Sequence, residues 1–148
     1  RYFFPLNEDV NFKVKQLMRN LTKDKKLKEK NIKTKGRIFK ISHYYDGIAQ
    51  FKFNELCEQN LGSEDYINIC SSCTFIAIEN IPKFSDENKD SQNRFINLID
   101  IVYENKIPLL ITSEYRLNDL GSSQSLEFPF KRTISRIYEL TSPNINLV

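Results

Sequence analysis

The apolar and polar positions of this chain change period from one segment to the next. Between 5 and 22 the apolar residues Val10, Val14, Leu17, Met18 and Leu21 recur at helical spacing. Asn7 is placed to cap that helix, and Glu8 and Asp9 follow at its positive end. In "IKTKGRIFKIS" (32–42) and "IAQFKF" (48–53) apolar and polar residues alternate, with Asp46-Gly47 between them. Two antiparallel strands joined by a turn are expected there. "NELCEQN" and "SEDYINIC" read as short helices, the second starting at Ser63.

Beyond Cys73 the alternation stops. "TFIAIE" (74–79) and "IPLLIT" (107–112) are continuous apolar runs, as in strands buried on both faces of a parallel sheet. Between them, "SQNRFINLIDIVYE" (91–104) carries Phe95, Leu98, Ile99 and Val102 at helical spacing. Strand, helix and strand in that order predict a parallel βαβ crossover. Residues 114–127 read as irregular. "FPFKRTISRIYEL" (128–140) closes the pattern as a helix with Phe130, Ile134 and Ile137 on one stripe. Arg132 and Arg136, four residues apart, share another face of it. The expected fold class is α/β. A helix and antiparallel hairpin occupy 1–60, and a parallel strand–helix–strand unit with the arginine helix occupies 61–148.

Composition adds limits. The chain has 148 residues, is 40% hydrophobic and 28% charged, and carries a net charge of +3. That suits a globular domain with a sizeable core. No apolar run approaches the ~20 residues of a membrane helix, so no transmembrane segment is expected. The chain opens on Arg1-Tyr2-Phe3 rather than Met, and it is expected to be part of a longer protein. The lysine-rich stretch "TKDKKLKEKNIKTKGR" (22–37) is read as a solvated loop running into a strand. A nucleic-acid patch is the alternative, but no aromatics interleave with the lysines to stack bases. No specific nucleic-acid binding is expected.

Candidate chemistry begins at the sheet edge. Ligands of open parallel sheets bind beyond the carboxyl ends of the strands. Glu79 and Asn80 end the first apolar run, and Ser113 and Glu114 end the second. Glu79 and Glu114 are therefore candidate ligand-binding residues, with capping or solvation as the alternative role. None of the four glycines, Gly36, Gly47, Gly62 and Gly121, opens a G-x-x-x-x-G-K-[ST] phosphate loop. Cys70 and Cys73 form a C-x-x-C pair, yet they end a helix and precede a strand, unlike a redox pair. With Cys57 and the lone His43 they match no zinc module, so buried thiols and no metal site are expected.

Taken in order, "RYFFPL", "GIAQFKFNELCEQNLGSEDYINIC", "FIAIENIP", "NRFINLIDIVYENKIPLLITSE" and "FKRTISRIYEL" resemble the C-terminal half of the ZapE and AFG-like P-loop ATPases. The resemblance implies the C-terminal fragment of an AAA-like ATPase whose phosphate loop and metal-binding strand lie upstream. It implies ATP and Mg2+ in the full-length protein, and none for this fragment alone. It implies as partners the upstream nucleotide-binding half and FtsZ or another protein client. For localisation it implies the bacterial cytoplasm, including the inner-membrane periphery, or alternatively the mitochondrion. Residues 132–136 match the family's R-T-x-S-R signature, which makes Arg136 first, and Arg132 second, a candidate to meet ATP phosphate during transfer. Arg94 is a further nucleotide-contacting candidate by the same resemblance. A protein–protein interaction module without nucleotide contact is the competing reading. Pairing of Arg136 with Glu139 is the competing account of that arginine.

Overall fold

The structure, a computed structural model, describes residues 1–142. Residues 143–148, the end of the second expected region, lie outside the described residues. One six-stranded sheet runs through the molecule in the order β1-β6-β5-β4-β3-β2. The strands are β1 (Tyr2–Phe3), β2 (Lys28–Thr34), β3 (Arg37–Tyr45), β4 (Ile48–Lys52), β5 (Phe75–Ile81) and β6 (Leu109–Ser113). The helices are α1 (Glu8–Leu21), α2 (Phe53–Cys57), α3 (Ser63–Ser71), α4 (Lys89–Glu104) and α5 (Glu127–Leu140). The sheet draws strands from both sides of residue 60.

β5 and β6 pair in parallel, as their continuous apolar runs imply, and β4 and β1 extend the parallel part of the sheet on either side. Each of these runs is buried on two faces. Phe75, Ala77 and Leu110 pack with Val10, Val14 and Met18 of α1. The alternate residues Ile76, Ile78, Leu109 and Ile111 pack with α2 to α5 on the other face. α1 begins where its pattern says it should: Asn7 accepts from the Val10 N–H at 2.8 Å.

The lysine-rich segment is a loop running into a strand, as expected, but the strand starts at Lys28 rather than Ile32 and forms edge strand β2 against β3. The alternating segment 32–42 is in turn not one strand but two, broken at Lys35-Gly36. Both residues have positive φ, 44° and 77°, and Thr34 pairs directly with Arg37 across them. This is the two-residue hairpin turn favoured by strand twist. Asp46-Gly47 makes the second such turn, with φ of 50° and 100°, and joins β3 to β4 as expected. Lys-Gly is a weaker turn signal than Asp-Gly because lysine tolerates the left-handed region poorly. The stretch 114–127 is two short 3-10 turns followed by the start of α5 at Glu127, one residue before the expected helix 128–140.

Candidate functional site

The five candidate residues lie in three places. Glu79, near the end of β5, pairs in register with Lys52 and accepts a 3.1 Å hydrogen bond from the Gln50 amide. With Gln50 it lines a groove of about 380 Å³ beside Asn11, Lys15 and Arg19 of α1. Glu114, just past β6, accepts from the Leu6 N–H at 3.3 Å. Both carboxylates therefore lie at the carboxyl end of the parallel strands, where a ligand of this architecture would enter. Asn80, inside β5 where its register with β6 shifts, adopts φ 64°, and its N–H donates to the Thr112 hydroxyl at 3.0 Å.

Arg94 is elsewhere. Its guanidinium donates to the Cys57 carbonyl at 3.1 Å, at the end of α2. A cation is well placed at that end of a helix, where carbonyls point outward unpaired. The bond braces α4 against α2.

Arg132 and Arg136 do share a face, and they converge on one carboxylate. Arg136 donates to Asp100 Oδ1 at 2.5 Å, and Arg132 donates to Asp100 Oδ2 at 3.3 Å. Arg136 does not pair with Glu139. Glu139 accepts from the Tyr103 hydroxyl at 2.9 Å instead. The Tyr103 ring lies 4.6 Å from the Arg136 guanidinium, so Arg136 is held between a carboxylate and an aromatic face. Its side chain is 24% exposed, whereas that of Arg132 is 58% exposed. One negative charge faces two positive ones, and the uncompensated cation is the more exposed of the pair. Asp100 and Tyr103 were not singled out by sequence reasoning. Their only signal is an acidic residue and a tyrosine three apart on α4, which places them on one face.

All three cysteines are buried and unpaired. Burial pushes the Cys70 and Cys73 thiols up to about 12 and the Cys57 thiol higher still. The thiolate is the reactive form. In the native chain at pH 8, Ellman's reagent is expected to label none of Cys57, Cys70 and Cys73, and in denaturant all of them. Rapid labelling of one thiol in the folded protein would contradict this burial. Among the described residues, no group of three or more His, Cys, Asp and Glu side chains is placed to hold a metal ion. No described helix is long and apolar enough to cross a membrane.

Comparison with known proteins agrees with the resemblance noted from the sequence. The family model described as AFG1-like ATPase matches residues 1–147. "Lactation elevated protein 1 homolog B" of Danio rerio is 34% identical over 89 residues, which is 60% of this chain and 18% of that protein. An uncharacterized protein of Schizosaccharomyces pombe is 31% identical over 57% of this chain and 19% of its own length. "Cell division protein ZapE" of Escherichia coli is 22% identical over 138 residues, 93% of this chain and 37% of that protein. The chain thus spans well under half of the length of these curated relatives. No solved structure matches significantly.

Proposed function

Because the chain belongs to the AFG1-like ATPase family, we propose that it is the C-terminal part of an ATP-hydrolysing protein whose phosphate loop lies in other residues. The observation that carries this reading is the family match over 1–147 in a chain with no G-x-x-x-x-G-K-[ST] loop. The family implies ATP and Mg2+ in the full-length protein, and the reading assigns both to its nucleotide-binding half, because no G-x-x-x-x-G-K-[ST] loop occurs in this sequence. The role left for this part is to support that half and to present a cation to it.

Arg132 is the better candidate for that cation. Its guanidinium keeps most of its donors free, and Asp100 holds it from one side only. Arg136 is occupied by Asp100 and Tyr103 and serves as the brace between α4 and α5. Arg94 is likewise occupied, and Glu79 and Glu114 remain candidates at the strand edge. The cell-division name of the ZapE relative supports a link to division, and a bacterial cytoplasm and FtsZ as client belong to the same proposal. A mitochondrial role in protein quality control is the alternative.

A second reading is favoured by the dispersal of the candidates: this part grips a protein and never touches nucleotide. Turnover of Arg132→Ala in the full-length protein separates the two, because only the first reading has this part touch nucleotide, and the ATPase reading itself has a direct test. Purified full-length protein is expected to hydrolyse ATP with Mg2+, and the 148-residue chain alone is expected to show no turnover above the blank. Turnover by the isolated chain, or none by the full-length protein, overturns the ATPase reading.

A further inference from the structure

The sheet changes its winding between β1 and β6. The helix that follows β1 packs on one face, and those that follow β5 and β6 pack on the other. In such sheets the ground beyond the carboxyl ends of the strands flanking the switch, here β1 and β6, is where partners and ligands are received. Three half-exposed apolar side chains are gathered there: Phe4 at 37%, Leu6 at 38% and Tyr115 at 37% exposure. Arg116 lies 5.2 Å over the Phe4 ring, and Lys83 lies 5.6 Å over the Tyr115 ring. The cluster is fixed from behind. The Tyr2 hydroxyl donates to the Tyr115 carbonyl at 2.7 Å, and the Leu6 N–H donates to Glu114.

Lys83 and Arg116 give the exposed rings a positive rim. Aromatic residues with arginine, held rigid and half-exposed, have the composition of a protein interface core. Phe128, 86% exposed on α5, has no ring or cation contact among the described residues.

We propose that Phe4, Leu6, Tyr115, Arg116 and Lys83 form the docking surface for the nucleotide-binding half that precedes this chain in the full-length ATPase. The inference rests on the reading under Proposed function. The first support is length, since the chain covers 37% of the ZapE relative, leaving a large body to be seated. The second is position. β1 is the last strand of its edge, two residues long, and Phe4 follows it directly. A body covalently linked to this chain meets that open edge at an effective concentration on the order of millimolar. The third is charge. Glu114 is engaged by the Leu6 backbone, which leaves Lys83 and Arg116 to meet carboxylates or carbonyls on the docked face.

The test uses the full-length protein with a photo-crosslinking residue, Leu6→p-benzoylphenylalanine, and Phe128→p-benzoylphenylalanine as the control. Irradiation is expected to join position 6 to peptides that precede Arg1 in the same polypeptide, and position 128 to none of them. Cross-links from position 6 to a second copy, to another protein or only within residues 1–148 overturn the proposal. So does the absence of any cross-link, or an equal yield from position 128. As an independent readout, Tyr115→Ala is expected to lower the melting temperature of the full-length protein while leaving that of the 148-residue chain nearly unchanged. Equal shifts in both overturn the proposal. ATP turnover is measured on the same preparation. Cross-linking without turnover removes the ATPase reading and leaves the surface standing, and turnover without cross-linking does the reverse.

Discussion

Arg132→Ala in the full-length protein is expected to lower kcat by on the order of 10³-fold, the typical cost of removing an arginine finger. The KM for ATP should change little, because the interaction forms as charge develops on the transferring phosphoryl group rather than in the ground state. Stability should also change little. The side chain is largely exposed, its ion pair with Asp100 is long, and such pairs contribute about 0–1 kcal/mol. Arg136→Ala is expected to behave differently. It removes the shorter bond to Asp100 and the contact with Tyr103, together about 2 kcal/mol of stability. Turnover of that variant should fall less than that of Arg132→Ala at a temperature where both are folded. Steady-state kinetics and urea denaturation on the two variants separate these roles. Near-normal turnover in Arg132→Ala would make both arginines structural, and the interaction-module reading would then take precedence.

Phe84→Ala should destabilise the chain by about 3–5 kcal/mol, the usual cost of emptying a buried phenylalanine site. Phe84 is 2% exposed although it belongs to the loop after β5. Its ring lies 5.7 Å from Phe53 of α2, 5.6 Å from Phe95 of α4 and 5.4 Å from Phe130 of α5. Its N–H donates to the Leu120 carbonyl at 2.7 Å, which fixes the loop to the segment after β6. Three helices therefore meet on one side chain, and none of them alone can close the space it leaves. The loss is a large share of the 5–15 kcal/mol by which domains are stable. Urea denaturation should show a lower midpoint with an unchanged slope. A loss below about 1 kcal/mol would mean that the loop collapses into the space, contrary to the rigid packing of such cores.

The local elements were legible in the sequence because their causes are local. Helical spacing from Val10 to Leu21 and the Asn7 cap define α1. The continuous runs at 75–78 and 109–112 define strands covered on both faces, and Asp46-Gly47 defines a hairpin turn. Each depends on residues within a few positions of one another. The start of β2 was missed because its outward residues are lysines, a glutamate and an asparagine, and only Ile32 and Thr34 are buried. A polar edge strand looks like a loop until its partner β3 is known. β1 is two residues long and exists only because β6 offers it a parallel edge.

The candidate site divides along the same line. The sequence by itself determined that Arg132 and Arg136 share a helix face, that Glu79 and Glu114 end neighbouring strands, and that no phosphate loop is present. Only the tertiary structure decided what those groups touch. Asp100 lies 32 positions before Arg132 in the chain, and it meets both arginines because α4 and α5 pack side by side on one face of the sheet. The same packing turns Arg94 toward the end of α2 and leaves Phe4, Tyr115 and their cations outside the carboxyl edge. The physical reason is range. Helical period and capping act within a turn or two of chain, whereas an ion pair between helices depends on how two buried apolar stripes settle against a shared sheet.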